Sequence, residues 1–465
     1  MNTRHLAVMA LSRIFGSRER PKDVLDELGS GLDERERSFL MELVYGTLRY
    51  RDYLDWLLSP FLKKPSGLSD ETLNNLRAAV YQFNFTRVPE WAAVDEAVNI
   101  GKKKGGNAPL VNAVLRSYLR GRQKADNPCP ADETAKLAIM TSHPLWIVRR
   151  WTARLGMEEA GMLAARNNEI PELTLRIDGD RGEALRLLAD AGIDAVATRY
   201  SPSGVIIRGR KKEVSESSPA HADNISEEAG YRRVPLNQVP LDPASFVVQD
   251  EAAQMISWLL DPQQGERILD ACAAPGGKAT HIARLMRDEG EVVAVDIDPA
   301  RAEKITANVS RLGLKSVRVM TGDIGKGIIE GSFDRVLLDA PCSSIGVIRR
   351  NPDVKYRHGE ADLRRFGALQ LGLLKSAAGY IKKGGIMVYS VCSTEPEEGE
   401  DVIRAFLQAR AGFSIIESGY AFLGQFACRD VGGHLFYRTW PHKVGQSIET
   451  GYGMDGFFAA RIKRD

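Results

Sequence analysis

Ile268-Leu269-Asp270-Ala271-Cys272-Ala273-Ala274-Pro275-Gly276-Gly277-Lys278 decides how the largest part of this chain folds. A hydrophobic run ends on an acid, crosses a loop of small residues and enters the helical pattern Ala279-Thr280-His281-Ile282-Ala283-Arg284-Leu285. Strand, tight loop and helix in that order make the turn by which an α/β sheet presents backbone amides and a helix N-terminus to a ligand. Two nucleotide-binding patterns compete for the stretch. A P-loop needs Ser or Thr after the Lys and a Gly five residues before the second Gly, but Ala279 and Cys272 hold those places. A dinucleotide site needs Gly-x-Gly-x-x-Gly, which Ala274-Pro275-Gly276-Gly277 does not supply. The loop therefore suits a nucleoside that carries no pyrophosphate, and S-adenosylmethionine fits that description.

Three further stretches extend the site. Val292-Val293-Ala294-Val295-Asp296 reads as a second parallel strand, ending in an acid placed to accept both ribose hydroxyls. Val317-Arg318-Val319-Met320 reads as a third, and Asp323 just beyond it can accept from an adenine amino group. Arg335-Val336-Leu337-Leu338-Asp339 is a fourth. Strand-end turn or helix-cap chemistry explains any one of these acids equally well. Four successive strand ends carrying Asp are harder to explain that way. The pattern predicts a Rossmann-like α/β sheet of the methyltransferase kind.

At 465 residues the chain is too long for one ordinary domain. No apolar run reaches membrane-spanning length, and charge interrupts the start Met1-Asn2-Thr3-Arg4-His5-Leu6, so a cytoplasmic location and no membrane partner are expected. Five scattered cysteines without a Cys-x-x-Cys pair argue against both a disulfide framework and a metal site. The net charge of +2 announces no polyanionic partner, but its distribution does. Between Ala97 and Ala125 stand Lys102, Lys103, Lys104, Arg116, Arg120, Arg122 and Lys124 with no acid among them. A second basic stretch, Arg349-Arg350 to Lys355 and Arg357, follows the fourth strand. A charge run is ordinarily a solvated face. Two of them, one beside a candidate catalytic loop, point to nucleic acid.

From Thr3 to about Gly121 the apolar spacing is helical, as in Leu6, Met9, Ala10, Ile14 and in Phe39, Leu40, Leu43, Val44, Leu48. Asp33-Glu34 and Ser69-Asp70-Glu71 suit helix starts. These residues predict an all-α bundle with one basic face. Residues 126–168 read as a linker followed by helices. Strand, helix and strand patterns at Leu173–Ile177, Glu183–Ala191 and Gly204–Arg208 predict a small α+β unit over 169–240, whose residues 211–233 are expected to be a mobile insertion. A larger α/β domain is expected over 241–465.

Two cysteines carry the remaining chemistry. Asp339-Ala340-Pro341-Cys342-Ser343-Ser344 closes strand four, and Tyr389-Ser390-Val391-Cys392-Ser393-Thr394 closes strand five. Both thiols thus fall at carboxyl ends of parallel strands, where open α/β sheets bind ligands. Either alone reads equally well as a small buried hydrophobe. Together, beside a methyl-donor site, they argue for thiol chemistry. Carbon 5 of cytosine is too weak a nucleophile to take a methyl group directly, and a thiolate added at carbon 6 turns the ring into an enamine that can. Asp339 is placed to hold the cytosine edge. An amine methyltransferase would carry Pro-Pro-aromatic where Pro341-Cys342 stands.

Glu42-Leu43-Val44-Tyr45-Gly46-Thr47-Leu48-Arg49, Pro89-Glu90-Trp91-Ala92-Ala93-Val94-Asp95-Glu96-Ala97-Val98 and Leu110-Val111-Asn112-Ala113-Val114-Leu115-Arg116 resemble the NusB-type RNA-binding domain, which gives the expected boundaries 1–125. From about Ile170 onward the chain resembles the RNA 5-methylcytosine methyltransferases of the RsmB/NOP (Sun/Fmu) family, with Asp270 to Lys278 as the most specific motif. The resemblance implies a ferredoxin-like (RRM-like) unit over 169–240 and S-adenosylmethionine as cofactor, converted to S-adenosylhomocysteine. It implies cofactor contacts from Cys272, Ala273, Ala274, Pro275, Gly276, Gly277, Lys278, Asp296, Asp323 and Asp339. It further implies Cys392 as nucleophile, Cys342 as the thiol that assists release, and a monomeric enzyme acting on a 16S ribosomal RNA cytosine, free or early in assembly. The physics of the sequence leaves the two cysteines interchangeable, and DNA cytosine methyltransferases attack from the Pro-Cys position. Transfer RNA or protein as substrate, or a non-catalytic assembly factor, are the alternatives. Ser344 replaces the family's usual Gly, Val391 its Thr and Gly399 its Asn, and Trp440 to Ser447 departs from a shorter segment.

Overall fold

The computed structural model describes residues 2–62, 67–103, 107–124, 127–211, 231–232, 234–327, 329–417, 426–429, 433–444, 447–448 and 453–465. Lys104 and most of the expected insertion at 211–233 lie outside the described residues. Two units separate, one built from Met1–Glu169 with Ile348–Glu360, the other from most of the remainder.

The first unit is helical: α1 (Thr3–Ser17), α2 (Pro21–Leu28), α3 (Glu34–Leu58), α4 (Asp70–Phe85), α5 (Glu90–Gly101) and α6 (Ala108–Gly121), then α7 (Glu133–Met140), α8 (Leu145–Leu155) and α9 (Met157–Asn168). Side-chain caps start them where short polar residues allow: Asn2, Asp33, Ser69 and Asn107 each accept from an amide of the first turn. The helical spacing of Leu6, Leu11, Leu40, Val44, Leu76, Val80, Val111 and Leu115 buries one face of each helix in a common core. Gly46 of α3 leaves room for Tyr81 of α4, since a Cβ there would stand 2.0 Å from the Tyr81 ring.

The second basic stretch does not behave as a phosphate-facing surface. Ile348–Glu360, with α10 (Val354–Arg357), belongs to the helical unit, and Lys355 is completely buried in it. Its Nζ donates to the carbonyls of Arg49 (3.0 Å) and Ser142 (2.9 Å) and to Asn168 Oδ1 (2.8 Å). Burial drives its pKa well below the usual lysine value. Arg49 in turn donates to the Arg349 carbonyl, the Arg51 guanidinium lies 3.5 Å over the Tyr356 ring, and Arg357 pairs with Asp353. The expectation failed because a cation count does not say which ammonium groups are solvated. Of the amino-terminal cations, Lys102, Lys103, Arg116, Arg120 and Lys124 remain exposed, while Arg122 pairs with Glu90 at 2.6 Å.

In the second unit, β1 (Leu173–Ile177), α11 (Arg181–Asp190), β2 (Asp194–Ala197), β3 (Gly204–Lys211), β4 (Tyr231–Arg232) and β5 (Phe246–Val248) form a small antiparallel sheet in the order β2-β3-β1-β5, with β4 on β3. Phe246–Val248 falls inside the α/β domain expected over 241–465, and the strand pairs with β1 of the small sheet, Val247 opposite Arg176.

The large sheet follows. It is built from α12 (Glu251–Leu260), β6 (Arg267–Asp270), α13 (Gly277–Leu285), β7 (Glu291–Asp296), α14 (Pro299–Arg311), β8 (Val317–Thr321), β9 (Phe333–Asp339), α15 (Glu360–Ala377), β10 (Ile381–Val391) and α16 (Glu400–Ala409). Its remaining strands are β11 (Phe413–Ile415), which pairs with β16, β12 (Ala427–Arg429), β13 (Leu435–Arg438) and β16 (Phe458–Arg464), while the short β14 (Lys443–Val444) and β15 (Ser447–Ile448) pair with each other in a sheet of their own. The order is β12-β13-β16-β10-β9-β6-β7-β8, with β6 to β10 parallel and β16 antiparallel to β10. The central parallel strands β6, β7 and β9 are largely buried on both faces, hence their Val, Ile and Leu runs, whereas β8 at the edge exposes Arg318 and Thr321. The strand order reverses between β6 and β9, the position at which such sheets open a crevice.

Candidate active site

The β6–α13 loop is shaped by backbone. Its Ala274–Pro275 bond is cis. Gly276 has φ 99° and lies against α14, where a Cβ would meet Ile305 Cγ2 at 3.0 Å, so both conformation and space require glycine. The Ala273 amide donates to the Val295 carbonyl and the Ala274 amide to Asp296 Oδ2 (3.2 Å), tying the loop to the end of β7. The small sheet adds a support that sequence reading missed. Arg176, fully buried and paired with Asp178 at 2.8 Å, donates to the Gly277 carbonyl (2.5 Å) and to Thr280 Oγ1 (3.1 Å) in the first turn of α13. Its signal in the sequence was a lone cation inside an apolar strand.

The acids stand where the strand pattern put them. Asp296 ends β7, 3% exposed, and pairs with Arg301 at 3.2 Å. Asp323 lies beyond β8, where its Oδ1 accepts from the Gly325 amide at 2.8 Å, and no described bond joins it to the other site residues. Asp339 ends β9 and is held on both oxygens, by Lys278 Nζ at 2.6 Å on Oδ2 and by Ser390 Oγ at 2.7 Å on Oδ1. Ser390 is the register partner of Asp339 across β9 and β10.

Charge makes the pocket receptive to a cation. Asp270 is fully buried, and neither oxygen has a well-formed hydrogen bond among the described residues. Burial, with the negative charge of Asp339 and Asp296, pushes its pKa up to about 7 despite Lys278. Burial also works against the charge of Lys278, but Asp339, helped by Cys392 and Asp270, holds its pKa above the usual value. The Cys272 thiol is pushed up to about 12 by burial and by Asp270. S-adenosylmethionine fits this donor set: acids for an ammonium, a sulfonium and ribose hydroxyls, and a loop too tightly turned for a pyrophosphate. Among the described residues no group of His, Cys, Asp and Glu is arranged to hold a metal ion.

The two remaining site residues meet. Cys342 follows β9, Cys392 follows β10, and their sulfurs are 3.3 Å apart. Ser344 Oγ lies 3.9 Å from the first and 3.6 Å from the second. The Cys342 thiol is pushed well above its usual pKa by its hydrogen bond to Cys392, then by burial and the nearby charges of Cys392 and Glu398. Ser344, which replaces the usual glycine, has φ 63°, the left-handed conformation that favours glycine.

Acid-tipped parallel strands, a glycine loop and this strand order define a Rossmann-like methyltransferase domain. Residues 257–463 match the family described as 16S rRNA methyltransferase RsmB/F, residues 1–120 the NusB family, and residues 143–212 the ferredoxin-like domain of RsmF/B-like methyltransferases. The probable ribosomal RNA small subunit methyltransferase B of Bacillus subtilis is 36% identical over 93% of this chain and 92% of its own length. The ribosomal RNA small subunit methyltransferase B of Salmonella newport is 34% identical over 99% of this chain and 98% of its own. Among solved structures, PH0851 superposes with a TM-score of 0.75 at 25% identity, covering 100% of this chain and 99% of its own. NSun6 from Pyrococcus horikoshii shares the fold over 69% of this chain and 98% of its own, with a TM-score of 0.57 at 22% identity. The chain belongs to the RsmB family of ribosomal RNA small subunit methyltransferases.

Proposed function

We propose that this enzyme methylates carbon 5 of a cytosine in 16S ribosomal RNA through a covalent bond between Cys392 and carbon 6. The observation that carries the reading is the 3.3 Å approach of two thiols next to the Lys278–Asp339 pair. Methylation of a nitrogen or oxygen needs no thiol, whereas carbon 5 must first be activated. When bound, S-adenosylmethionine supplies the methyl group as an electrophilic sulfonium. Cys392 attacks carbon 6 as the thiolate, in the field of the Lys278 ammonium. The electron pair of the 5,6 double bond moves to carbon 5, which takes the methyl group. Loss of the carbon 5 proton to a water molecule then restores the double bond and expels the Cys392 sulfur as thiolate, a step that Cys342 assists from 3.3 Å away.

Asp339 keeps lone pairs free on both oxygens and accepts from the cytosine amino group, while Ser390 and Lys278 fix its direction. Asp296 accepts the ribose hydroxyls, Asp323 the adenine amine, and Cys272 to Lys278 wall the cofactor through their backbone. The exposed Lys102, Lys103, Arg116 and Arg120 meet RNA phosphates. The relatives' names supply the ribosomal substrate. Bisulfite sequencing of 16S ribosomal RNA from cells with and without the protein tests the reading. One protected cytosine must disappear with the protein, and an unchanged pattern sinks it.

A further inference from the structure

Each thiol is followed by a serine, and both serines reach the same carboxylate. Ser343, next to Cys342, donates its amide to Glu398 Oε1 (2.7 Å) and its hydroxyl to Oε2 (2.5 Å). Ser393, next to Cys392, donates its hydroxyl to Oε2 (2.5 Å). Gln370 Nε2 adds a bond to Oε1 (3.2 Å) and another to the Pro341 carbonyl (2.9 Å), so the residue before Cys342 is fixed as well. Tyr389 donates to the Glu398 carbonyl (2.5 Å), tying the main chain of this acid to β10. Glu398, Ser343, Ser393 and Gln370 are each completely buried.

A buried carboxyl group is costly unless hydrogen bonds compensate it. These bonds bridge two loops that nothing in chain order joins, one after β9 and one after β10. Burial pushes the Glu398 carboxyl above the usual glutamate pKa, and the bonds from Ser343, Ser393 and Gln370 work against that shift.

We propose that Glu398 is a positioning residue for methyl transfer, a clamp that holds the Cys342 and Cys392 loops at the separation the chemistry needs. The inference rests on the two-thiol reading of the reaction, but its geometric part is testable apart from it. The full-length enzyme is compared with Glu398→Gln, Ser343→Ala and Ser393→Ala. Gln keeps one acceptor oxygen, and each Ala removes a single hydroxyl tether, so the set spares the fold. Turnover and KM on RNA, cofactor affinity by calorimetry, and the rate of Cys342–Cys392 cross-linking by diamide are measured. In that last reaction two thiols lose two protons and two electrons to the diazene, and mass spectrometry identifies the linked peptides.

The clamp predicts a kcat reduced roughly ten- to a hundredfold, the scale of an ångström-sized misplacement. KM and cofactor affinity should stay within about twofold, and cross-linking should slow in parallel with kcat. Wild-type cross-linking rates in all three variants overturn the proposal, whatever happens to turnover. If the wild-type enzyme neither methylates RNA nor forms an adduct with 5-fluorocytosine RNA, while the variants still slow cross-linking, the clamp stands and the two-thiol reaction falls.

Discussion

The sulfurs of Cys342 and Cys392 lie 3.3 Å apart at the ends of two hydrogen-bonded parallel strands. The order of the proposed chemical steps separates their roles in time. Cys392→Ala should abolish both methylation and any covalent RNA adduct, because no methyl transfers before carbon 6 is attacked. Cys342→Ala should permit attack and one transfer but slow release, leaving a protein–RNA band that survives denaturing electrophoresis. The opposite pattern reverses the assignment.

Asp270 predicts a pH effect on the cofactor-free protein. Its folded-state pKa is raised from an ordinary 3.8 to about 7, so the folded state keeps a proton that the unfolded chain has released. The group's contribution to stability is fully present below about 4 and is lost as pH rises to about 7, with no further change above. The loss is at most about 4 kcal/mol. Asp270→Asn should match wild type at pH 4 and exceed it by pH 8 in denaturant unfolding. A constant difference across that range would remove Asp270 as the source.

Ser344 carries a backbone cost. An L-residue in the left-handed region pays about 1–2 kcal/mol, part of which glycine returns as unfolded-state entropy. Ser344→Gly should therefore stabilise the protein by up to about 1 kcal/mol, whereas Ser344→Ala, which keeps the Cβ, should not. Equal effects of the two on thermal unfolding would trace the change to the hydroxyl instead.

Lys355 tests what the second basic stretch does. Lys355→Met strands three buried acceptors in the helical unit, a loss of about 1–3 kcal/mol for a group left unpaired. The salt dependence of RNA binding should not change, since a completely buried ammonium releases no counterions. A flatter salt slope with wild-type stability would return Lys355 to the RNA surface.

Much of this protein is legible along the chain, because some signals are local. A strand that ends on Asp before a glycine loop announces a sheet edge facing a ligand, so Asp270, Asp296 and Asp339 could be placed by pattern alone. The helical spacing and caps of the first 121 residues needed only neighbours three or four positions away. That two cysteines fifty residues apart each follow a parallel strand was also legible in the pattern, while the pairing of those two strands came from the fold.

What local pattern could not reach are the facts set by burial and by pairing across the chain. Lys355 reads as a surface cation until the fold surrounds it with carbonyls, and Phe246–Val248 reads as the lead-in to one sheet until it pairs with another. Arg176 and Glu398 carry no motif that names their partners, because those partners are backbone and hydroxyl groups on distant elements. Residue types and periodicity determined which elements form and which chemistry the chain can host. The tertiary structure alone decided which charges lose their water and which loops share a carboxylate, since desolvation and hydrogen-bond geometry exist only once distant segments are packed.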